Sequence, residues 1–380
     1  MKGYLRTVLI LIVLMIFFVG LINFIVDPGS IFLKKILKTP LLNMYVEALT
    51  SSQYGVKQKG WKERDVKVTL AEKAKDAECV VLGSSHVMGL SIYQVEGFKN
   101  TCKSLINLGV SGGGLEDIGV FSNILIKRPG IIKNKKIFIG IDPWTFNFNR
   151  DSRYIPYSRE YKQLLEKLGK LDDFKVTKLK YSEKLYKNLI SLDYFVGSLR
   201  YVRKKGLDNT FREIKAILET HHNAEAYILS QYVPKFDIAK GIDVAVTLPD
   251  GSHVYSAQYI SDAKRQKHQF EATRYKLIDG QWYDENAVDL FISIVSLLES
   301  HGYSVIVVQT PYHHNVWDNP SGAVTRRAMH IVSNLIKQLK LKTIGSYNPR
   351  FIGCEKSEFF DYMHAGPSCI NKIFQGSTSG

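Results

Sequence analysis

Five short segments of the chain place chemically active side chains directly after apolar runs. They are Gly83-Ser84-Ser85-His86, Asn107 to Gly114, Gly140-Ile141-Asp142-Pro143-Trp144, Pro311-Tyr312-His313-His314 and Phe360-Asp361-Tyr362-Met363-His364. A serine hydroxyl becomes an effective nucleophile when an imidazole accepts its proton, and a carboxylate fixes the tautomer of that imidazole. We therefore interpret Ser85, His364 and Asp361 as a candidate nucleophile, base and orienting acid.

Each segment taken alone is a weak signal. The Gly-Ser-Ser at 83–85 is most often a turn and a helix N-cap. The three glycines at 112–114 fit neither a G-x-G-x-x-G nor a Walker phosphate loop, so a tight turn is the simpler interpretation. Asp361 and His364 stand three positions apart, a spacing that is also typical of a surface pair. Position 87 is Val87, so the G-x-S-x-G elbow of α/β-hydrolases is absent.

The elements that must position these residues alternate along the chain. Short apolar runs predict buried parallel strands at 79–82, 104–108, 137–141 and 304–308, with a weaker one at 341–345. Helical periodicity falls between them at 115–127, 285–300 and 324–339. The alternation predicts an α/β fold with a doubly wound parallel sheet. Ligands bind such a sheet beyond the carboxyl ends of its strands, which is where the five segments lie.

An uncharged apolar run occupies residues 7–26 and is long enough, at about 1.5 Å per residue, to cross a bilayer. It predicts a transmembrane helix. A cleaved signal peptide is the alternative, but the run exceeds the usual length of such a peptide and no A-x-A-like site follows it. A basic tail of six residues normally stays in the cytoplasm. We therefore expect a single-pass protein of the cytoplasmic membrane, with residues 27–380 on its periplasmic or extracellular side.

The charge balance is basic, with 51 Lys plus Arg against 36 Asp plus Glu and a pI near 9.4. Nucleic-acid binding is not expected, because no recognisable module interleaves aromatic and basic residues. A basic domain tethered to a membrane would instead attract anionic lipid or an anionic envelope polymer. Ordinary solubility charge explains the same balance.

The four cysteines are Cys79, Cys102, Cys354 and Cys369, and none has the C-x-x-C spacing of a zinc or thioredoxin-like site. An oxidising compartment would allow three pairings. We favour Cys354 with Cys369, which would close a short loop around the last of the five segments. Four buried free thiols are the alternative.

The predicted organisation has five regions. Residues 1–26 form the cytoplasmic tail and anchor, 27–75 a juxtamembrane connector, 76–150 and 285–380 the two parts of the α/β domain, and 151–284 an insertion. The insertion begins with a basic helical stretch at 159–212, continues with a strand-like part, and is too long to be a loop. We expect it to lie over the carboxyl edge of the sheet as a lid or partner surface, and a solvated helical subdomain is the alternative.

The segments together resemble the blocks of the SGNH or GDSL hydrolase superfamily. Its Gly-Asp-Ser block matches the Gly-Ser-Ser ending at Ser85, its second block matches Asn107 to Gly112, and its Asp-x-x-His block matches Asp361 to His364. The resemblance implies an oxyanion hole at the backbone N–H groups of Ser85 and Gly112. In the third block Asp142 replaces the family's oxyanion asparagine. An ionised carboxylate cannot donate a hydrogen bond, so Asp142 either turns away or is protonated.

The resemblance covers roughly 80–150 and 285–375, and membrane-tethered members that act in alginate O-acetylation and lipoteichoic-acid D-alanylation are the most similar. It implies a serine acyltransferase or esterase that adds or removes acyl groups, often acetyl, on a cell-envelope polysaccharide. No metal or organic cofactor is expected. Some relatives work beside a multi-spanning membrane O-acyltransferase, which makes such a protein a candidate partner.

Two aromatic residues are candidates for substrate binding. Trp144 and His313 follow predicted strands, and aromatic faces pack on sugar rings, although each could be a simple loop residue. A rival hypothesis is a catalytically inactive SGNH-like accessory protein that binds glycan or docks a membrane O-acyltransferase. The aspartate at 142 favours this rival, and the complete set of serine, histidine and aspartate opposes it.

Overall fold

The computed structural model describes residues 2–28, 32–57, 61–73, 77–127, 135–147, 153–171, 188–230, 232–233, 245–265 and 284–375. The chain folds as two compact units. One comprises Met1–Ala48 with Val176–Gln231, and the other comprises Leu49–Lys175 with Tyr232–Gly380. The predicted connector at 27–75 and the predicted insertion at 151–284 are therefore each divided between the two units.

The α-helices of the described residues are α1 Lys2–Val26, α2 Leu33–Ser51, α3 Glu63–Lys73, α4 Glu96–Thr101, α5 Leu115–Ile126, α6 Ser158–Lys167, α7 Leu192–Lys205, α8 Leu207–His222, α9 Ala224–Leu229, α10 Ala257–Arg265, α11 Glu285–Ser300, α12 His314–Asp318, α13 Ala323–Gln338, α14 Pro349–Ile352 and α15 Pro367–Gln375. The β-strands are β1 Gly55–Lys57, β2 Cys79–Leu82, β3 Leu105–Asn107, β4 Lys135–Gly140, β5 Tyr232–Val233, β6 Val246–Thr247, β7 His253–Val254, β8 Tyr303–Gln309 and β9 Thr343–Gly345.

The first unit is helical and contains α1. The segment Gly3–Val26 of this helix is long and apolar enough to cross a membrane. Polar residues follow the apolar run at its carboxyl end, where Asn23 and Asp27 are buried. Their partners lie in the segment that leads into α7 and in α7 itself. Residues far apart in sequence therefore meet at the end of the apolar helix.

The second unit contains a five-stranded parallel sheet in the order β3-β2-β4-β8-β9. The pairing of Val80 with Ile137 and of Ile137 with Val305 aligns its three central strands. Strands buried on both faces read as continuous apolar runs, which is why all four residues of β2 are buried. One face packs against a core that includes Phe98 and Phe374. The predicted α/β fold with a parallel sheet is confirmed.

Most predicted elements agree with the structure to within a few residues. The strand predicted at 79–82 and the helix predicted at 285–300 match β2 and α11. The helical stretch predicted at 159–212 is not one helix, because α6 ends at Lys167 and α7 ends before Gly206, whose φ is +84°. Its residues 172–187 lie outside the described residues, as do 234–244 and 266–283 of the strand-like part.

A second, antiparallel sheet has the order β5-β1-β6-β7. It joins β1, from the predicted connector, to three strands of the predicted insertion, and Val56 pairs with Thr247 across β1 and β6. These strands are too short to show a period-2 pattern in the sequence. The predicted connector is therefore partly a structural element of the second unit.

All four cysteines form disulfides, Cys354 with Cys369 and Cys79 with Cys102. The favoured pairing of Cys354 with Cys369 is confirmed, and the alternative of four free thiols is wrong. The Cα atoms of this pair lie 5.2 Å apart at the two ends of the segment that carries Asp361 and His364.

Candidate active site

The turn after β2 presents Ser85 at the carboxyl edge of the parallel sheet. Gly83 has a φ of +140°, and a Cβ atom at this position would lie 2.9 Å from the backbone oxygen of Gly140. Only glycine accepts both the dihedral angle and the close approach of β4. A 3₁₀ turn begins at Ser85, and the hydroxyl of Ser84 caps it by accepting the N–H of His86 at 3.2 Å. The Ser85 side chain is half-buried and faces a cavity.

The segment after α14 carries the other two members of the candidate triad. An isolated bridge pairs Phe359 with Ala365, and the Cys354–Cys369 disulfide closes the segment from outside that bridge. One carboxylate oxygen of Asp361 accepts the backbone N–H groups of Met363 and His364, at 2.7 and 2.6 Å. The turn thus holds the carboxylate in a fixed orientation before the imidazole contacts it.

Ser85, His364 and Asp361 form one connected hydrogen-bonded set. Nε2 of His364 lies 2.8 Å from Oγ of Ser85, and Nδ1 lies 2.7 Å from Oδ2 of Asp361. Burial acts to raise the pKa of Asp361, but the hydrogen bond and charge of His364 and the two backbone N–H groups outweigh it and lower the pKa to about 2. The ionised carboxylate therefore favours a proton on Nδ1, which leaves Nε2 able to accept the proton of Ser85.

The loop after β3 packs directly against the nucleophile turn. A Cβ atom at Gly113 would lie 2.5 Å from the backbone oxygen of Gly83, so only glycine permits this contact. The preceding residue, Gly112, has a φ of +62°. The structure thus brings the loop of Gly112, a predicted oxyanion residue, against the turn that leads to Ser85.

Charged side chains hold the same loop from its other side. Glu63 accepts both the backbone N–H and the hydroxyl of Ser111, the latter at 2.8 Å. Arg153 donates to the backbone oxygen of Ser111 at 2.6 Å, and Arg64 forms two 2.8 Å hydrogen bonds with Asp117. These bonds fix the backbone immediately before Gly112.

The Asp142 side chain faces His86 and Tyr312. Its buried carboxylate oxygen Oδ1 lies 3.2 Å from Nδ1 of His86 and accepts the Tyr312 hydroxyl at 3.4 Å. An ionised carboxylate can accept hydrogen bonds from both groups. The structure places this carboxylate beside His86, and the doubtful oxyanion role of Asp142 stays a prediction.

The two predicted substrate-binding residues have different positions. Trp144 is only 2% exposed and packs edge-on against His86 at a centroid distance of 5.4 Å, so it cannot stack on a ligand. Its assignment to substrate binding is wrong, because the indole is buried against the rings of His86 and Tyr312. His313 lines a cavity of about 260 Å³ that also borders Asp361, and its Nδ1 accepts the N–H of Asn315 at 3.0 Å.

A larger cavity of about 600 Å³ opens beside Ser85 and His364. Part of its wall comes from the predicted insertion, including His253, Tyr255 and Lys264. These residues of the predicted insertion therefore border the same cavity as Ser85 and His364. The sequence offered no signal for these wall residues, because they follow no strand of the parallel sheet.

Buried polar groups attach this wall to the sheet. The ammonium of Lys67 donates to the backbone oxygens of Asn107, at 2.8 Å, and Gly251. Burial lowers the pKa of Lys67 to about 8, although Glu63 and Asp250 act to raise it. The carboxylate of Asp250 accepts the hydroxyl of Ser91 at 2.7 Å. The backbone of Gly251 and the carboxylate of Asp250 therefore attach the wall to the rest of the second unit.

His253 is a polar group of the cavity wall that sequence analysis missed. It is 8% exposed, and its Nδ1 has no hydrogen-bond partner among the described residues. Burial, together with the nearby charges of Lys67 and His364, lowers the pKa of His253 to about 4. At neutral pH it is therefore an uncharged imidazole, which can donate and accept one hydrogen bond each.

In the described ranges, no group of three or more His, Cys, Asp or Glu side chains is arranged to hold a metal ion. The chemistry available at the site is that of a serine nucleophile with an imidazole base. No family model matches the chain, and a search of the curated proteins found no match either.

Proposed function

We propose that this protein is a membrane-anchored serine acyltransferase or esterase of the SGNH type, acting on acyl groups, most simply acetyl, of a cell-envelope polysaccharide. The observation that carries the proposal is the 2.8 Å distance between His364 Nε2 and Ser85 Oγ, with Asp361 2.7 Å from the other ring nitrogen. A base within hydrogen-bonding reach of the nucleophile, and itself oriented by a carboxylate, is the geometry that acyl transfer requires.

In the proposed reaction, Oγ of Ser85 bonds to the acyl carbon of an ester or thioester while its proton passes to Nε2 of His364. The intermediate collapses when the bond to the leaving oxygen or sulfur breaks, and His364 returns the proton to that atom. A sugar hydroxyl or water then loses its proton to His364 and attacks the acyl carbon. Ser85 Oγ leaves and regains its proton. The backbone N–H groups of Ser85 and Gly112 would stabilise the negative oxygen at each stage.

The sheet topology supports an SGNH-type assignment. Numbered along the chain within the parallel sheet, the strand order is 2-1-3-4-5, the order of flavodoxin-like folds. Ser85 follows the first of these strands, and Asp361 and His364 follow the last, as they do in the superfamily's block order. The SGNH-type assignment therefore rests on the motifs and the strand order.

The cavity supports an acceptor larger than water. Its volume of about 600 Å³ far exceeds the space that an acetyl group needs, so most of it is available to the group that carries or receives the acyl. Tyr255 and Phe360 line it. The Phe360 ring is parallel to the His364 ring at a centroid distance of 5.6 Å, and the Tyr255 ring is tilted against it at 5.8 Å. Aromatic faces and the polar edge of His253 suit a sugar with free hydroxyls.

The proposed location outside the cytoplasm has two supports. The helix α1 has the length and composition of a membrane span. Disulfides such as Cys79–Cys102 and Cys354–Cys369 form and persist in oxidising compartments and are rare in the cytosol. Both features fit a domain on the periplasmic or extracellular face.

A second candidate function is a non-catalytic domain that binds glycan or docks a membrane O-acyltransferase. Asp142 favours it, because the position of the family's side-chain oxyanion donor holds an acceptor. The hydrogen-bonded triad opposes it. An inactive protein would have no need to keep Ser85, His364 and Asp361 in contact.

The test uses the full-length protein in detergent, a fluorophosphonate probe and p-nitrophenyl acetate. We expect the wild type to be labelled and to hydrolyse the ester, and Ser85→Ala to abolish both. Ser296→Ala is the matched control, because Ser296 is exposed on α11. Absence of labelling in a folded wild type, or labelling that survives in Ser85→Ala, would reject the catalytic proposal in favour of the non-catalytic one.

A further inference from the structure

Polar side chains of α7 and α8 form hydrogen bonds with residues at and just after the carboxyl end of α1. The hydroxyl of Ser198 donates to Oδ1 of Asn23 at 3.2 Å, and the hydroxyl of Tyr194 donates to Asp27 at 3.0 Å. Glu213 of α8 pairs with Lys34 at 3.0 Å. In a water-soluble helical hairpin these inward positions would be apolar.

The outward faces of the same two helices are apolar. Leu192, Val196 and Leu199 of α7 are between 42% and 67% exposed. Their spacing of four and then three residues places them on one stripe of the helix. In α8, Leu207, Phe211 and Leu218 are 50% to 60% exposed and lie on one stripe for the same reason. We call this pair of stripes the outer stripes. Their apolar character is the opposite of what is expected for a helix face in contact with water.

The hairpin is attached at the carboxyl end of the apolar helix α1. The side-chain amide of Asn23 donates to the backbone oxygens of Leu189 and Ser191, at 2.8 and 3.1 Å. Asn23 lies three residues before the end of α1, which corresponds to about 4.5 Å along the axis. A helix that crosses a bilayer has its end at the boundary between acyl chains and headgroups. The entry to α7 is thus held at that depth.

Basic residues flank the outer stripes. Arg200, Arg203, Lys204 and Lys205 are exposed around the end of α7, and Arg212 and Lys215 are exposed on α8. A helix that combines an apolar stripe with lysine and arginine beside it is typical of elements that lie in the plane of a membrane interface. The long basic side chains can extend to anionic headgroups while the stripe contacts acyl chains.

We propose that the α7–α8 hairpin is an interfacial membrane-binding element, whose outer stripes contact the acyl-chain boundary of a bilayer containing anionic phospholipid. The proposal rests on the proposed membrane insertion of α1 and does not depend on the chemistry at Ser85. It makes the hairpin a second attachment to the membrane, continuous with the span through Asn23.

The test measures the depth of a fluorophore in the full-length protein. The four native cysteines are all in disulfides, so a single introduced cysteine can be labelled with an environment-sensitive dye. Phe211→Cys reports on the outer stripe. Ala216→Cys is the matched control on the same helix, since it is exposed and lies about 140° around the axis from Phe211. Leu11→Cys reports whether α1 is inserted.

Each labelled protein is reconstituted in vesicles of phosphatidylcholine and phosphatidylglycerol, with spin-labelled lipid or iodide as quencher. We expect lipid quenching at positions 11 and 211, with emission from 211 shifted to the blue. We expect iodide quenching to be several-fold stronger at 216 than at 211.

Three results would overturn the proposal. Equal iodide quenching at 211 and 216, with position 11 still quenched by lipid, would show that the hairpin lies in water. Shielding of 211 in native membranes but not in pure lipid vesicles would indicate a protein partner instead. Absence of lipid quenching at 11 would remove the membrane span on which the inference rests, while the esterase test of Ser85 would still decide the chemistry independently.

Discussion

Nδ1 of His86 lies 3.2 Å from the carboxylate of Asp142, and the His86 ring packs against the ring of His364 at a centroid distance of 5.0 Å. A second histidine–aspartate pair therefore lies in contact with the base of the candidate triad. Trp144 and Tyr312 complete the packing around His86. The carboxylate of Asp142 is a polar partner for the buried imidazole of His86. This role explains an aspartate at the position where the superfamily has an oxyanion asparagine.

The first prediction concerns Asp142→Asn. The change preserves size but replaces a charged acceptor, which faces His86 and the Tyr312 hydroxyl, with a neutral amide. We expect it to destabilise the fold by about 2 kcal/mol, because a buried hydrogen bond to a charged group is weakened. We also expect a lower rate of ester hydrolysis, because the support of His364 is disturbed. Thermal unfolding and kcat/KM on p-nitrophenyl acetate measure the two effects.

The control for this substitution is Asp289→Asn, since that carboxylate is on the exposed side of α11 and should tolerate the same change. A faster reaction in Asp142→Asn with unchanged stability would contradict the assignment. It would mean that the side chain at 142 reaches the oxyanion, as an asparagine does in the superfamily.

The second prediction compares the two disulfides. Removing Cys354–Cys369, whose members are 15 positions apart, should lower the free energy of unfolding by about 3 kcal/mol in the chain-entropy model. It should also lower kcat well below the melting temperature, because this disulfide closes the segment that holds Asp361 and His364. Double substitution to alanine, followed by denaturant titration and steady-state kinetics, tests both effects.

The matched control is the double alanine variant of Cys79 and Cys102, which are 23 positions apart. This disulfide lies at the amino end of β2, at the edge of the sheet opposite Ser85 and His364. We expect a similar loss of stability from it but little change in kcat. Equal loss of kcat in both variants would show that the effect comes from general destabilisation and not from the position of the base.

The third prediction is a pH dependence of stability that originates at His253. Its pKa is about 4 in the folded chain, below the ordinary value of 6.5. As the pH falls from 6.5 towards 4, the unfolded chain binds a proton that the folded chain does not, so stability falls across this window. The linkage amounts to about 3 kcal/mol if the full difference applies.

The measurement is the free energy of unfolding of wild type and His253→Asn at pH 7 and at pH 4.5. We expect the wild type to lose about 2 to 3 kcal/mol more than the variant between these values. Carboxylates that titrate nearby contribute equally to both proteins, and Asp361, with a pKa of about 2, titrates below the window. Parallel losses would show that the imidazole is not held uncharged in the folded state.

The local elements of this protein were predictable from its amino-acid sequence. The parallel strands were predictable because a strand buried on both faces is apolar throughout, as the four residues of β2 are. The apolar helix α1 was predictable because its uncharged run at 7–26 is long enough to cross a bilayer. Ser85, Asp361 and His364 were recognisable from residue type and from their positions after strands, since the carboxyl ends of parallel strands share one edge.

The contacts between those elements were not predictable from the sequence and became visible only in the folded chain. Ser85 and His364 are 279 positions apart, and no local pattern encodes the 2.8 Å contact between them. The burial of Trp144, the pairing of His86 with Asp142 and the placement of His253 in the cavity wall all depend on side chains from separate elements. Propensity and periodicity act over neighbouring residues, whereas burial and hydrogen-bond partners are set by chain segments that meet only after folding.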